Sequence, residues 1–169
     1  MTNIPVRAAL IFAILSGSLT VGPQPTMSAT SGQQSPILAE TTYRGHHYYL
    51  LKEMTWQNAE ETAVSLGGHL VTINDSAEHE YLWALWGRDH LLWIGLNDVK
   101  EEGSYVWVSG QPVTFLNFAA DEPNNLGNSE DYVHMWSQFF DSCGRWNDNR
   151  ALVDELPQRS IVELDSVRQ

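Results

Sequence analysis

The chain has 169 residues, 9 Lys plus Arg against 21 Asp plus Glu, a formal charge of −12, and one cysteine. That length holds one domain with additional segments, and so acidic a surface repels phosphate backbones, which argues against nucleic acid as a partner. A lone cysteine, Cys143, excludes an internal disulfide framework and leaves only a free thiol or a bridge to another molecule.

Arg7 precedes an apolar run over 8–15, too short for a bilayer span, which takes roughly 20 apolar residues. A weakly basic start, a short apolar centre and small residues beyond it suit a secretory signal peptide over 1–29. Cleavage is placed after Ala29, although Met27 is a poor match two residues before it; Ala39 is the alternative. This reading makes the protein secreted or extracytoplasmic, with no membrane span. Residues 22–34 are rich in Pro, Ser, Thr, Gly and Gln, and 30–40 is read as a flexible linker before a single domain at 41–165. There is no internal repeat and no heptad neck, so an oligomer is possible but not indicated.

Thr55 is a good N-cap for a helix over 55–66, which Gly67-Gly68 ends. Trp56, Ala59, Ala63 and Leu66 share one apolar face. Asp75-Ser76-Ala77-Glu78 resembles a capping box opening a second helix to about Trp86, with Leu82, Leu85 and Trp86 turned inward. Short strands are expected at 48–51, 69–73, 92–95, 105–109, 132–136 and 160–163. Trp93, Trp107 and Trp146 are read as core. The chain between Ser109 and Tyr132 is long and irregular, a length that is usually functional or disordered. The six histidines show no HxxxH or HExxH spacing, and the adjacent His46 and His47 point to opposite faces of a strand, which argues against zinc.

The long segment and its neighbourhood concentrate oxygen donors. Glu122-Pro123-Asn124 is followed by Glu130-Asp131 and then Trp146-Asn147-Asp148. Calcium takes six to eight oxygen ligands from carboxylates, amides, backbone carbonyls and water. Glu122, Asn124, Glu130, Asn147 and Asp148 could supply most of such a shell, leaving positions open for ligand atoms of another molecule. Asp98, Glu102, Glu122, Glu130, Asp131 and Asp148 would repel one another without a cation, so calcium should stabilise the fold by mass action.

In order and spacing, Trp93-Ile94-Gly95-Leu96-Asn97-Asp98, Glu122-Pro123-Asn124, Glu130 and Trp146-Asn147-Asp148 resemble the C-type lectin domain, over roughly residues 43–164. The resemblance implies an α+β fold of two helices, small antiparallel sheets and a long calcium-binding loop. It implies a cis Glu122–Pro123 bond. It assigns Glu122, Asn124, Glu130, Asn147 and Asp148 to the principal calcium, where two adjacent hydroxyls of one sugar complete the shell. A carboxylate only accepts hydrogen bonds and an amide nitrogen donates them, so the Glu-then-Asn order fixes one orientation of the diol. In the family this order goes with mannose, fucose and N-acetylglucosamine. An auxiliary calcium would take Asp98, Glu102, Asn125, Glu130 and Asp131, weakened because Asn125 stands where aspartate is common. The family's disulfide positions map to Val64, Tyr132, Ala151 and Val162, so both bridges are missing, each typically contributing about 2–4 kcal/mol. Trp136, Phe139 or Phe140 are candidates to stack on a sugar, and the long 135–145 segment is expected to extend a hairpin.

The expected function is calcium-dependent binding of mannose-type glycans, without catalysis. The alternative is a lectin-like module that binds a protein or other non-sugar ligand with calcium only structural. A glycosidase could use a carboxylate pair such as Glu122 and Glu130, but one metal accounts for both.

Overall fold

The computed structural model describes residues 34–150 and 158–164. The signal-peptide reading of 1–29 lies outside them. Strand β1 (Ile37–Tyr43) begins inside the stretch read as a linker, and Ala39 within it pairs with Leu50 of β2 (His46–Leu51). The alternative cleavage position, after Ala39, falls within this strand.

Helix α1 (Trp56–Ser65) starts where expected. Thr55 is extended at φ −65° and ψ 156°, and its hydroxyl accepts the Asn58 amide at 3.2 Å. Trp56, Ala59 and Ala63 are buried. Gly67, at φ +88°, takes the left-handed conformation that ends the helix, and Gly68 opens β3 (Gly68–Leu70). Helix α2 (Ser76–Leu82) is capped by Asp75, whose carboxylate accepts the Glu78 amide at 2.9 Å. Glu78 reaches past the usual capping-box partner to the Asn74 amide at 2.9 Å, and accepts the buried Tyr48 hydroxyl at 2.7 Å.

One inward assignment fails. Leu82 is buried and Trp86 packs on the core, but Leu85 is 48% exposed. The helix winds into a π turn over Trp83–Gly87. A wider turn takes one more residue than the α-helical pattern assumes, and Leu85 is carried off the apolar face.

The other strands are β4 (Leu92–Asn97), β5 (Val106–Trp107), β6 (Tyr132–Met135), β7 (Trp146–Asn149) and β8 (Arg159–Leu164). All pairings join into one eight-stranded network, in the order β1-β2-β8-β4-β6-β7, with β3 on β8 and β5 on β4. The pairs are antiparallel except β4 with β8, where Leu92 lies opposite Arg159 and Trp93 opposite Ser160. The expected small antiparallel sheets are thus linked by one parallel pair. Strand β7, which carries Trp146-Asn147-Asp148, is not among the strands the sequence pattern predicts.

Of the positions matched to the missing bridges, Val64 is 54% exposed, whereas Ala63 is fully buried in one cluster with Leu51 and Val162. The helix residue that faces Val162 is Ala63, which corrects the assignment to Val64. Apolar contact stands where a cross-link was expected.

His134 on β6 is completely buried between Trp93, at 5.6 Å, and Trp136, at 4.7 Å, with neither ring nitrogen hydrogen-bonded. Burial pushes its pKa down to about 3, outweighing an opposing effect from Gln158. A depressed histidine contributes stability that is present above its unfolded pKa and lost as pH falls toward the folded one. His134→Leu should therefore lose less stability than the parent between pH 7 and pH 4.5, by about 2–3 kcal/mol in urea titrations; an equal loss in both proteins would show that His134 takes up its proton as readily in the folded protein as in the unfolded chain.

Candidate metal centre

The segment from Gly110 to Asp131 has no regular strand, yet it is tied down at its middle. Trp146 donates its amide to Asn117 O at 2.8 Å, and Ala119 donates to Trp146 O at 2.9 Å. The Trp146 indole is fully buried and edge-on to Trp107, Phe115 and Phe118 at 5.5–6.1 Å. The next residues on β7, Asn147 and Asp148, are consequently held beside the loop that carries Glu122 and Asn124.

Asp148, with no exposed surface, organises that loop. Its two carboxylate oxygens accept the backbone amides of Asn124 at 3.1 Å and Asn125 at 2.7 Å. Glu130 accepts the Leu126 amide at 2.8 Å, and its own amide donates to the Asn125 side-chain oxygen at 3.1 Å. Asp121, Asn125, Asn128 and Gly127 all have positive φ, which Asp, Asn and Gly tolerate best. The Glu122–Pro123 bond is cis, as expected.

The structure thus brings Glu122, Asn124, Glu130 and Asp148 together, with Asn147 adjacent on β7. Several of their oxygens lack partners. Glu122 Oε2 and Asn147 Oδ1 are shut from water and accept no hydrogen bond, although the Asn147 amide nitrogen donates to Asp148 O at 2.5 Å. Burial and the nearby Asp148 and Glu130 raise the Glu122 pKa to about 7. Glu130 is also raised, by burial and Asp148.

The second set converges beside the first. Asp98 is 1% exposed; one oxygen accepts the Gly103 amide at 2.8 Å and the other has no partner. Its amide donates to Asp131 O at 3.1 Å. Asn125 donates its side-chain nitrogen to Glu102. An aspartate at 125 would repel Glu102, so the amide does here what a carboxylate could not. With Asn125 Oδ1 turned to Glu130, however, that oxygen is already engaged.

Hard oxygen donors without partners, in a cluster where Glu122 and Glu130 resist ionisation, fit calcium in chemical type. Among the described residues no three His, Cys, Asp or Glu side chains form a metal-holding group by themselves. A shell here would therefore draw on amide or backbone oxygens as well, and the candidate set offers those of Asn124 and Asn147.

The aromatic candidates are elsewhere. Trp136, Phe139 and Phe140 belong to the turn between β6 and β7, which closes through Trp136 N to Arg145 O at 2.8 Å and docks on Arg88 and Asp89 through Gln138. Trp136 lies four residues from Tyr132, about 13 Å along the strand from the carboxylate end. The hairpin expected at 135–145 is present, but it extends away from the cluster. Two neighbours escaped the sequence reading. Arg150 lies against the loop, its guanidinium donating to Leu126 O at 3.4 Å. The Tyr105 hydroxyl is buried among the acidic side chains. Neither belongs to a motif.

A sequence model described as the lectin C-type domain matches residues 52–155. The alpha-N-acetylgalactosamine-specific lectin of Patiria pectinifera is 39% identical over 119 residues, covering 64% of this chain and 69% of that protein. The C-type mannose receptor 2 of Homo sapiens is 37% identical over 110 residues and the hepatic lectin of Gallus gallus 33% over 104; the matches span 7% and 47% of those longer proteins. Among solved structures, the C-type lectin CEL-I from Cucumaria echinata superposes with a TM-score of 0.66 at 28% identity, over 75% of this chain and 94% of that one. The cow carbohydrate-recognition domain of CD23, solved in the presence of GlcNAc2Man3 oligosaccharide, gives 0.65 at 27%, over 76% and 95%.

A carboxyl raised in the folded state contributes stability below its unfolded pKa and loses it as pH rises through the folded one. For Glu122 that window runs from about 4.5 to about 7. In EDTA, Glu122→Gln should therefore be more stable than the parent at pH 8, by about 1 kcal/mol after allowance for solvent screening. The gap should close by pH 4.5; a gap independent of pH would mean Glu122 is not under electrostatic pressure.

Proposed function

The chain belongs to the C-type lectin domain family, and on that footing we propose that it is a secreted, calcium-dependent lectin that prefers mannose-type sugars. The observation that carries this reading is the pair of unpartnered, water-shielded oxygens, Glu122 Oε2 and Asn147 Oδ1, beside the acidic Asp148 and Glu130. When bound, calcium supplies a hard cation whose remaining positions accept two adjacent sugar hydroxyls.

The chain's own residues do the rest. Asp148 holds the Asn124 and Asn125 amides and so shapes the loop around Pro123. Glu122 accepts a hydrogen bond from one sugar hydroxyl, and the Asn124 amide nitrogen donates to the other. This order supports equatorial, mannose-type diols, including fucose and N-acetylglucosamine. The names of the relatives point both ways, since one is specific for alpha-N-acetylgalactosamine and another is a mannose receptor. The preference therefore rests on Glu122 and Asn124 themselves. Few ligand atoms would be buried at one site, so affinity should come from clustered sites.

A second reading, a module that binds protein with calcium only structural, draws on Phe139, which is 73% exposed at the hairpin turn remote from the carboxylates. Isothermal titration of methyl mannoside into the full chain separates the two. Saturable heat with millimolar calcium, abolished by EDTA, is the expected result. No heat, with calcium still raising Tm, would leave the protein-binding reading. The double variant Glu122→Gln/Asn124→Asp should shift elution from a mannose to a galactose column; continued release by mannose alone would refute the donor–acceptor argument.

A further inference from the structure

Tyr105 lies just outside the β4/β5 ladder. That ladder pairs Leu96 with Trp107 and Asn97 with Val106, so the same register places Tyr105 opposite Asp98. Directly opposed residues in an antiparallel pair hold their Cβ atoms about 4.5–5.5 Å apart. The turn between them is tight: Glu101 donates to Asp98 O, and Ser104 to Glu101 O, at 3.0 and 2.9 Å. The Tyr105 ring is pinned against Phe118 at 5.1 Å.

Two polar atoms are stranded at this point. The Tyr105 hydroxyl is sealed from water with no hydrogen-bond partner, and so is Asp98 Oδ1. Stranding a hydroxyl costs roughly 1–3 kcal/mol, which would select against tyrosine here if the ring alone were needed. Around the hydroxyl stand Asp98 just after β4, Glu102 from the turn and Asp148 from β7. A phenol is ordinarily protonated at neutral pH, so this hydroxyl is a donor amid acceptors. A carboxylate oxygen has two lone pairs, so Asp98 Oδ1 can accept the hydroxyl and still face an ion.

Resting on the calcium reading above, we propose that Tyr105 is a positioning residue for the metal centre: its hydroxyl donates to Asp98, orients that carboxylate, and links the auxiliary oxygen set to the Asp148 set. It is not itself a ligand. Its role is the one that outer-shell donors play toward metal-binding side chains, whose loss commonly costs 10–100-fold in affinity.

The test is Tyr105→Phe in the full chain, which keeps the ring and its Phe118 contact. Calcium Kd by isothermal titration should rise about tenfold, and Tm in EDTA should fall by about 3–6 °C. In an Asp98→Ala background, where no acceptor remains, the same substitution should change neither by much. An unchanged Kd together with an equal or higher Tm would overturn the proposal, because a merely packed ring predicts that result. If the parent shows no calcium response at all, the calcium reading fails instead; the EDTA melting difference, and its loss in the Asp98→Ala background, still decides whether Tyr105 holds Asp98.

Discussion

The clamp on Trp146 is the constraint on which the functional end of the molecule depends. Its buried indole is packed edge-on by Trp107, Phe115 and Phe118. Its amide and carbonyl are bonded to Asn117 and Ala119 on the irregular segment. A loop of more than twenty residues would ordinarily sample many conformations, at an entropic cost for each residue fixed. Here a few aromatic contacts and two backbone hydrogen bonds fix its middle, and the Asp148 carboxylate fixes the next stretch through the Asn124 and Asn125 amides. The acidic cluster is therefore built on a rigid β7, although half its members lie on a loop.

That construction places the electrostatic cost where it can be used. Glu122, Glu130 and Glu102 are all pushed toward their neutral forms, by burial and by nearby carboxylates, Asp148 in each case. Left alone, they oppose folding near neutral pH. A divalent cation bound there would remove the opposition, so its binding free energy would in part be relief of that repulsion. Without internal cross-links, the framework that resists this repulsion is apolar: Ala63, Leu51 and Val162 at one end, and the aromatic cluster around Trp146 at the other.

The rest of the surface is divided by distance from this cluster. The hairpin turn carrying Phe139 and Phe140 docks on the residues following the π turn at Trp83–Gly87, through Arg88 and Asp89. It projects from the opposite end of β6. An aromatic turn and a polar, ion-directed loop on one small domain are thus kept apart by the length of a strand, and one can vary without disturbing the other.

Local signals in the chain determined much of this. Helix α1 has a capping threonine, an apolar face and a terminating glycine, all of which act within a few residues, and its limits follow directly. Glu122, Asn124, Glu130, Asn147 and Asp148 were legible as a group because oxygen chemistry is written in residue type and order. Three things depended on the tertiary structure. Leu85 is turned outward by a π turn that no helical pattern announces. Ala63 rather than its neighbour Val64 faces Val162, because one residue of helix is a rotation of about 100°. Tyr105 joins the carboxylates only because the β4/β5 register sets it opposite Asp98. Propensity and side-chain chemistry are properties of single residues and short spans, so the sequence carries them; phase, register and what a buried hydroxyl faces are settled only when distant segments pack.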